Sequence, residues 1–596
     1  MLSRRSLTWT TIVVFIVIIG LQTSSYFKLA ISIQDDSIVP SDSTSEPVPP
    51  PSNSQGSVAH VTGYKRDYTT IWGYATSLLM IYSVYAALQR WCLRWRRDIL
   101  SDRGIYCRFR RITDREFRIL DSIWTLGEAA QVSTLVLLNS LFILRQRVLV
   151  QEEGGRDLFH QEYANRAAQL ALVNISAAVC LSARHMHSTY RLGIDQTLAW
   201  HAWFARLGGL CTLYHACFQF ARKYHLSNYH GMFDVLMSNA RYITGTVMIA
   251  AISVLYIGSH PLVRAVSYRL FRVTHLLAFL TIVMLGVFHH WTFVVFYAAV
   301  ACVWFVDQFK LSWPARLVSV KSLPSNIVRL QVEPSFPIEA TDFSPGQFAF
   351  VSTTGRWLTQ KLYSHPFSIS RFDQEPASSL SSSNGSTLLS DKGGKAVFTF
   401  YIKANGRDTA ALYHLAKSGD HACIKHMRMS KPLGRPFVDM AGRSYGDFEV
   451  VVLVAEGIGI TPWISVMQQL GQRELHVITK YITLIWSVKS ADTCEAFLPE
   501  LQSHLTDIDY TINVYVTRDS VSDPENPLPS FSGLELTKGR PDHGTLLRDI
   551  HRKYPTTDTA LGVCAHDETI QRCGNLARAF STDQSVWAVR CERFEF

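Results

Sequence analysis

Long apolar stretches follow one another over the first half of the chain, separated by short polar segments. Each stretch is near the length that crosses a hydrocarbon core about 30 Å thick. The pattern therefore predicts a membrane domain of as many as eight helices. The predicted spans lie at residues 7–24, 70–89, 123–145, 166–183, 197–220, 242–258, 271–290 and 292–311.

The first span has two interpretations. Arg4 and Arg5 precede the apolar run TIVVFIVIIG, which fits a cleaved signal peptide as well as a retained anchor. Residues 35–56, which follow it, are rich in Ser, Pro and Asp and are typical of a disordered linker.

After residue 311 the pattern changes to short apolar strands, turns and helices of mixed polarity. This alternation is typical of a soluble α/β protein. Residues 374–396 are rich in Ser and Gly and predict a flexible insertion between strands. The chain therefore combines a membrane half with a soluble half.

The charge pattern orients the chain. The net charge is +10, which is compatible with a nucleic-acid ligand. However, nine arginines fall between Arg90 and Arg115, beside an apolar span, as in the cytosolic loops of membrane proteins. We therefore expect a lipid membrane and no nucleic acid as partner, with loops 184–196 and 259–270 and everything after 311 in the cytosol. The eleven cysteines show no CxxC or zinc-binding spacing, and no disulfide framework is expected.

Two apolar segments carry histidines with the same separation. HAWFARLGGLCTLYH runs from His201 to His215, and a later span contains His275 and His289. A step of fourteen residues is nearly four helical turns, so both histidines of a helix lie on one face, about 21 Å apart. Because both helices leave the cytosolic side, His201 and His275 share the inner depth. His215 and His289 share the outer depth.

Histidines at membrane depth are costly and usually functional. Neutral imidazole binds haem iron, and two imidazoles on one iron leave no open position, which suits electron transfer. The sequence thus predicts two bis-histidine haem sites. Gly208 and Gly209 are expected to let a flat macrocycle approach, and Arg206 and Arg272 to pair with its propionates, although Arg272 also fits an anchor at the membrane interface.

His290 directly follows His289 and is the alternative outer ligand, although only His289 repeats the fourteen-residue step. Four further histidines lie in predicted loops and are expected to be ordinary surface residues. They are His185, His187, His225 and His230.

Two motifs in the soluble half predict ligand contacts. SPGQFAFV, residues 344–351, is followed by SHPFSISR, residues 364–371. Such a turn and strand can lay backbone and hydroxyl groups along a flavin ring, although HPFS also fits an ordinary strand start. The second motif, VVVLVAEGIGITPWISV, predicts a buried parallel strand, a tight turn at Gly457 and Gly459, and a helix opened by Thr461 and Pro462. A pyrophosphate can lie on that helix N-terminus.

A third apolar strand, YITLIWSVKS, ends near Lys489. Its carboxyl end is where α/β sheets bind ligands, so Lys489 can meet a 2′-phosphate and favour NADPH over NADH. A solvated lysine explains the residue equally well. Arg518, after the next strand, raises the same question.

The paired histidines, HPFS, GIGITP, IWSVK and the terminal FEF together resemble the ferric reductase and NADPH oxidase superfamily. The resemblance covers about residues 120–596 and is strongest to the fungal metalloreductase branch. It implies a multi-span α-helical membrane domain with two b-type haems. A cytosolic module similar to ferredoxin–NADP reductase follows, with an FAD-binding β-barrel and an NADPH-binding α/β domain.

The resemblance also implies domain boundaries and site residues. The expected domains are 1–68 (signal or anchor and linker), 69–311 (haem domain), 312–440 (FAD domain) and 441–596 (NADPH domain). The expected flavin contacts are His365, Pro366, Phe367, Ser368 and the terminal aromatic Phe596. The expected nucleotide contacts are Gly457, Gly459, Thr461, Pro462, Lys489 and Cys564.

The chain departs from the family pattern at three places. Glu456 replaces the first glycine of the nucleotide turn, and a carboxylate near a pyrophosphate is expected to weaken binding. A Cys-Gly-Pro motif appears as Cys564-Ala565-His566, and residues 405–409 match the phosphate-binding stretch of the flavin domain loosely.

Three functions are compatible with these features. The favoured one is a transmembrane reductase that passes electrons from cytosolic NADPH to ferric or cupric chelates on the far side of the membrane. The plasma membrane is the expected site, and an internal membrane is the alternative. The second is an NADPH oxidase that reduces oxygen to superoxide. The third is a haem-binding regulatory partner whose reductase domain has decayed, which the departures at Glu456 and Ala565 would explain.

Overall fold

The protein is described by a computed structural model. The described residues are 69–94, 116–119, 122–144, 155–183, 194–226, 231–309, 313–336, 338, 343–353, 364–374, 396–419, 424, 427–434, 437–439, 442–471, 477–502, 508–518, 534–582 and 584–592. Contacts divide the chain into two compact units. A helical unit takes in most of residues 69–304, and a sheet unit contains the chain from residue 305 onward.

The helical unit consists of helices and one β-hairpin. The hairpin pairs β1 (Glu116–Ile119) with β2 (Ser122–Thr125) and was not expected from the sequence. The helices are α1 (Thr69–Arg94), α2 (Leu126–Leu144), α3 (Gly155–Ser182), α4 (Ile194–Leu226), α5 (Met232–Leu236), α6 (Ala240–Gly258), α7 (Pro261–Val266), α8 (Tyr268–His289) and α9 (Trp291–Phe309).

Seven of the eight predicted spans fall on these helices, and the span at 7–24 lies outside the described residues. Within the described chain, four helices are long and apolar enough to cross a membrane: 126–144, 162–182, 240–258 and 268–289. Side-chain caps fix where the later helices begin. Asn239 accepts hydrogen bonds from the N–H groups of Arg241 and Tyr242 at the start of α6, and Ser267 accepts one from Leu270 at the start of α8.

A closed ring of hydrogen bonds joins α1, α2 and α3. The Tyr74 hydroxyl donates to Asn174 Oδ1 at 2.7 Å, and Asn174 Nδ2 donates to Asn139 Oδ1 at 2.7 Å. Asn139 Nδ2 completes the ring by donating to the Tyr74 hydroxyl at 2.8 Å. All three side chains are buried. Helices in a membrane gain little from the hydrophobic effect when they associate, because lipid is as apolar as their side chains. Buried hydrogen bonds of this kind help to hold such helices together.

The first part of the sheet unit is an antiparallel sheet. Its spatial order is β6-β5-β9-β3-β4-β8-β7. The strands are β3 (Trp313–Leu323), β4 (Ile327–Pro334), β5 (Phe348–Ser352), β6 (His365–Ser368), β7 (Arg371–Gln374), β8 (Ala396–Lys403) and β9 (Met427–Met429), with helix α10 (Arg407–Ser418) between β8 and β9.

Chain connectivity forces this sheet to curl. Its end strands, β6 and β7, are separated by only Ile369 and Ser370, which span about 10 Å. The edges of a flat sheet with seven strands would lie about 29 Å apart. The sheet therefore forms a barrel, and its interior is an apolar cluster that includes Leu330, Phe398 and Phe400.

The second part is an entirely parallel sheet in the order β13-β12-β11-β10-β14-β15. Its elements are β10 (Val450–Glu456), α11 (Thr461–Gly471), β11 (Tyr481–Val488), α12 (Asp492–Glu495), α13 (Leu498–Gln502), β12 (Asp509–Val516), β13 (Glu535–Lys538), α14 (His543–Lys553), β14 (Thr559–Cys564), α15 (Asp567–Phe580) and β15 (Trp587–Cys591).

Apolar cores cover both faces of the parallel sheet, which explains the continuous apolar runs of its central strands. The strand order reverses between β10 and β14, and open α/β sheets bind ligands in the crevice at this point. A multi-span helical unit followed by a barrel and a parallel α/β domain is the fold class that the sequence predicted.

We expect Tyr74→Phe to lower the stability of the helical unit by about 1–2 kcal/mol, because it breaks two of the three bonds in the buried ring. Thermal unfolding of the detergent-purified protein measures this loss. Tyr82→Phe is the matched control, since Tyr82 lies on the same helix and is 39% exposed. Equal unfolding temperatures for the two variants would contradict a stabilising role of the ring.

Candidate functional site

The inner histidines come together in the helical unit. His201 on α4 and His275 on α8 have ring centroids 6.3 Å apart. Two imidazoles that bind opposite sides of one metal ion, through nitrogens about 2 Å from it, have ring centres about 6 Å apart. The separation of the inner pair therefore fits a shared metal ion.

Two of the four histidines are anchored by backbone carbonyls of α3. His201 Nδ1 lies 2.7 Å from the Ala178 oxygen, and His215 Nδ1 lies 2.9 Å from the Ala164 oxygen. A carbonyl only accepts hydrogen bonds, so Nδ1 of each ring carries the proton. The lone pair is then on Nε2, which is the usual arrangement in a metal-binding histidine.

Hydroxyl groups anchor the other two rings. His275 Nδ1 lies 3.1 Å from Ser259 Oγ, and His289 Nδ1 lies 3.0 Å from Thr244 Oγ1. Thr244 already donates its proton to the Ala240 carbonyl at 2.8 Å, so it accepts the Nδ1 proton of His289. His289 therefore has the same tautomer as the two carbonyl-anchored rings.

His290 has a local partner instead. Its Nδ1 lies 2.9 Å from Thr292 Oγ1 and 3.3 Å from the Thr292 backbone nitrogen, two residues further along the chain. The residue also leaves helical geometry, with φ of −159° at the C-cap of α8. These features favour His289 over His290 as the outer ligand.

A cavity of about 690 Å³ adjoins the outer histidines. Its wall includes His215, His289 and three arginines, Arg166, Arg222 and Arg241. Cofactor pockets have volumes of about 300–1,000 Å³ and combine apolar walls with a few polar groups. The cavity thus has the size and composition of a cofactor site.

The glycines between the histidines of α4 have a different role from the expected one. A Cβ on Gly208 would lie 2.8 Å from Cγ1 of Ile175 on α3, and one on Gly209 would lie 2.0 Å from the Tyr256 hydroxyl on α6. The Tyr256 hydroxyl donates to the Ala205 carbonyl at 2.5 Å. These glycines therefore let neighbouring helices approach α4, and the expectation that they make room for a macrocycle was wrong.

In the barrel, HPFS forms the edge strand β6. It pairs with β5 so that His365 lies opposite Val351 and Ser368 opposite Phe348. An edge strand tolerates Pro366, which has no N–H to donate. Phe367 packs on the barrel core, and Ser368 is buried.

The fold brings the HPFS motif beside the loosely matching stretch 405–409. His365 Nε2 lies 3.2 Å from Asp408 Oδ2, in the first turn of α10. Both side chains are about two-fifths exposed, so the contact shows that the two residues are close but adds little to the stability of the fold. The N-terminus of α10 and the edge strand thus border one surface.

The glycine turn after β10 packs directly against the end of β14. Gly457 has φ of +57°, a conformation that favours glycine. A Cβ on Gly459 would lie 2.4 Å from the Cys564 backbone oxygen. Trp486 Nε1 donates to the Gly457 oxygen at 2.8 Å and holds the turn. The structure thereby brings Gly457, Gly459 and Cys564 together at the switch point, just before Thr461 and Pro462 open α11.

Cys564 is a buried thiol. Burial, together with the nearby charges of Glu592 and Glu456, raises its pKa well above the usual value. The Cys564 side chain at the end of β14 is therefore a neutral thiol and not a thiolate nucleophile.

The carboxylate of Glu456 binds the segment that begins α15. Its Oε2 accepts from the His566 N–H at 3.0 Å and also contacts His566 Nδ1, and its Oε1 accepts from the Thr569 hydroxyl at 2.7 Å. Burial alone raises the pKa of Glu456, but these hydrogen bonds outweigh it and the net pKa lies below 4.5. Two of the departures from the family pattern, Glu456 and His566, are therefore in contact with each other.

Lys489 and Arg518 both lie at the carboxyl edge of the parallel sheet and are exposed. Sequence inspection missed a third cation there, Lys403 at the end of β8. Burial and then the charge of Lys489 lower the pKa of Lys403, so the two ammonium groups are neighbours. No motif signals this pairing, because the two lysines are brought together from different domains. Phe596 lies outside the described residues.

Two family profiles match the chain. Residues 167–287 match the ferric reductase like transmembrane component, and residues 448–578 match the ferric reductase NAD binding domain. They cover the histidine helices and the parallel sheet. Both the histidine helices and the parallel sheet are therefore similar to the corresponding parts of ferric reductases, as the motifs indicated.

The relatives agree with this assignment. A probable metalloreductase of Meyerozyma guilliermondii is 26% identical over 64% of this chain and 74% of that protein. Ferric reduction oxidase 2 of Arabidopsis thaliana is 24% identical over 55% of this chain and 43% of its own length. Dual oxidase 1 of Canis lupus familiaris is 23% identical over 46% of this chain and 17% of its own length. The protein is thus a membrane oxidoreductase of the ferric reductase type, with a nicotinamide nucleotide domain.

Among solved structures, the ferredoxin reductase of carbazole 1,9a-dioxygenase aligns with 47% of this chain and 69% of its own chain, at 12% identity and a TM-score of 0.31. At this score the fold assignment rests on the strand orders described above.

We expect Glu456→Gln to lower the unfolding temperature at neutral pH, because a neutral amide holds the start of α15 less firmly. The depressed pKa of Glu456 fixes the pH dependence. The carboxylate contributes its stability above about pH 4.5 and loses it as the pH falls through the folded-state pKa. The difference from wild type should therefore shrink on acidification.

Thermal unfolding scans at stepwise lower pH measure this effect. Glu449→Gln is the control, because Glu449 pairs with Lys480 in an exposed contact and should have little effect at any pH. A difference between Glu456→Gln and wild type that is constant over the whole pH range would contradict the role of the Glu456 charge.

Proposed function

We propose that the protein transfers electrons from cytosolic NADPH, through FAD and two b-type haems, to ferric or cupric chelates across the membrane. One observation carries the proposal: the inner histidine rings stand 6.3 Å apart, with His201 anchored through Nδ1. This arrangement suits bis-histidine ligation. The similarity to ferric reductases supports the direction of the chemistry, which is reduction of an acceptor by a nicotinamide nucleotide.

His201 and His275 would hold the inner haem, and His215 and His289 the outer one. When bound, FAD accepts a hydride and the haems carry single electrons, so the cofactors supply the redox chemistry. The chain supplies fixed positions. Carbonyls of α3 hold His201 and His215, and hydroxyls hold His275 and His289 in the orientation that a ligand needs.

In the barrel, the HPFS strand with its residues His365, Pro366, Phe367 and Ser368 would line the flavin ring. The N-terminus of α10, beside His365, offers backbone N–H groups to the flavin phosphates. Phe596 would cover the ring until nicotinamide displaces it, as the family resemblance implies.

The crevice between β10 and β14 would bind the nucleotide. Gly457 and Gly459 would let the backbone approach the pyrophosphate, and Thr461 and Pro462 open the helix on whose N-terminus it would lie. Cys564 would border the nicotinamide. Lys489, with Lys403 beside it, forms a cationic position suited to the 2′-phosphate of NADPH.

The geometry of Glu456 argues against a decayed reductase domain. Both of its carboxylate oxygens bind the loop at His566 and Thr569. The charge is thereby satisfied within the protein, and the glycine turn beside it keeps its conformation.

The acceptor defines the main alternative. Relatives named metalloreductase and ferric reduction oxidase support a metal chelate, and those named dual oxidase support oxygen. Arg222 and Arg241 on the cavity wall favour an anionic acceptor at the outer histidines, whereas Arg166 is paired with Glu162 on the same wall. We propose the plasma membrane as the site, with the C-terminal half cytosolic.

The proposed electron pathway can be followed by visible spectroscopy. Anaerobic NADPH added to the detergent-purified, FAD-loaded protein should produce the visible spectrum of a reduced low-spin b-type haem. Ferric chelate should then reoxidise it, and superoxide detected on admitting oxygen would instead favour the oxidase. A haem that dithionite reduces but NADPH does not would support the regulatory alternative.

The choice of outer haem ligand, His289 or His290, can be tested by substitution. We expect His289→Ala to lose about half of the bound haem, because one of two sites loses a ligand. His290→Ala should keep both haems, since His290 lies past the last residue of α8 and its Nδ1 contacts Thr292, two residues further along the chain. Haem content per protein and the low-spin spectrum measure the effect. Loss of haem in His290→Ala with retention in His289→Ala would reverse the assignment.

A further inference from the structure

A buried carboxylate joins the parallel-sheet domain to the barrel. Glu500 lies on the short helix α13, and its side chain is 2% exposed. The Tyr401 hydroxyl donates to its Oε1 at 2.8 Å. Arg329 Nη2 lies 3.6 Å from the same oxygen, and Arg371 Nη1 lies 3.5 Å from Oε2. All three partners belong to the barrel.

The three partners lie on adjacent strands. Arg329 on β4 is directly opposite Tyr401 on β8, and Arg371 on β7 is directly opposite Thr399. Opposed residues share a face of the sheet, and so do Thr399 and Tyr401, which are two apart on one strand. The barrel therefore presents a hydroxyl and two guanidinium groups on one face, and Glu500 inserts among them.

Energy alone does not explain this arrangement. Desolvation of the buried Glu500 carboxylate offsets much of its attraction to the two arginine side chains, which are each 29% exposed, and apolar residues of similar volume often give equal stability. A shift of one domain relative to the other would, however, separate the buried Glu500 carboxylate from its barrel partners and leave it without them. The cluster is thus better suited to fixing geometry than to adding stability.

The strand held by Glu500 is next to the flavin motif. Arg371 begins β7, three residues after Ser368 of HPFS. The following residue, Phe372, accepts a hydrogen bond through its carbonyl from Gln468 Nε2 of α11 at 3.3 Å. A second contact joins the other motif segment, since the Gly346 N–H donates to Ser465 Oγ of α11 at 2.9 Å. The elements proposed to hold flavin and nucleotide are therefore tied to each other.

We infer that Glu500 is a positioning residue for hydride transfer: by binding Arg329, Arg371 and Tyr401, it sets the nucleotide-binding crevice against the HPFS strand. The inference rests on the proposed function. Hydride transfer requires reacting atoms about 3–3.5 Å apart, and a displacement of about 1 Å can cost a hundredfold in rate. A contact that fixes the barrel against the parallel-sheet domain would also fix the distance between the reacting atoms.

The test follows flavin reduction in the full-length protein in detergent, under anaerobic conditions and at saturating NADPH. We expect Glu500→Gln to slow flavin reduction about 10- to 100-fold and to weaken the charge-transfer absorbance between nicotinamide and flavin. Bound FAD per protein and reduction of flavin and haem by dithionite should stay at wild-type levels. Glu500→Asp, which keeps the charge, should recover part of the rate.

Glu333→Gln is the matched control, because it removes a carboxylate that pairs with Arg316 on the barrel strands β3 and β4, and Arg316 is 69% exposed. It should reduce flavin at the wild-type rate. If Glu500→Gln does not fold, Tyr401→Phe decides the question, since it removes one donor and keeps the ring that packs on Phe497. It should slow the same step to a smaller extent.

Unchanged flavin reduction in a folded, FAD-bound Glu500→Gln or Tyr401→Phe variant would overturn the inference. So would a slowing that higher NADPH concentrations abolish, because it would show a loss of affinity and not of positioning. A wild-type protein whose bound FAD is not reduced by NADPH or NADH would contradict the proposed function itself. The two failures are therefore distinguishable.

Discussion

The helical unit depends on the anchoring of its four histidines through Nδ1. An imidazole in an apolar environment needs a partner for its proton, and helix α3 provides one at each end. The carbonyls of Ala164 and Ala178 are fourteen residues apart, the same step that separates His215 from His201. Two helices packed side by side therefore match acceptor to donor at both depths. His201, His215 and His289 are thereby held with Nε2 available, which is the condition for ligation of a metal ion.

Close packing around α4 makes this match possible. Gly208 and Gly209 admit Ile175 of α3 and Tyr256 of α6 at distances that any side chain would prevent. The ring of Tyr74, Asn139 and Asn174 holds α3 against α1 and α2 with hydrogen bonds that water cannot replace in an apolar setting. Small residues and buried amides thus keep α3 in register with the histidines it anchors.

The sheet unit uses carboxylates for a similar purpose. Glu456, which is partly buried, ties the end of β10 to the start of α15, and the buried Glu500 ties α13 to three strands of the barrel. Each acid joins segments that are distant in sequence at an edge where a cofactor or nucleotide is proposed to bind. A carboxylate that accepts from several donors loses hydrogen bonds when it is displaced, and the loss is largest for a buried one. Both carboxylates therefore favour a fixed arrangement of the segments that they join.

Sequence by itself determined the features that local pattern encodes. Span length, the fourteen-residue histidine step, the apolar run of β10 and the glycine turn all reflect periodicity or backbone freedom within one segment. Tertiary structure decided the rest, because those contacts join remote residues. The carbonyls of α3 carry no side-chain signal, and the role of Gly208 and Gly209 depends on which helix packs there. The partners of Glu456, His566 and Thr569, lie more than a hundred residues further along the chain. The Glu500 cluster spans 171 residues between Arg329 and Glu500, and no local pattern can show it.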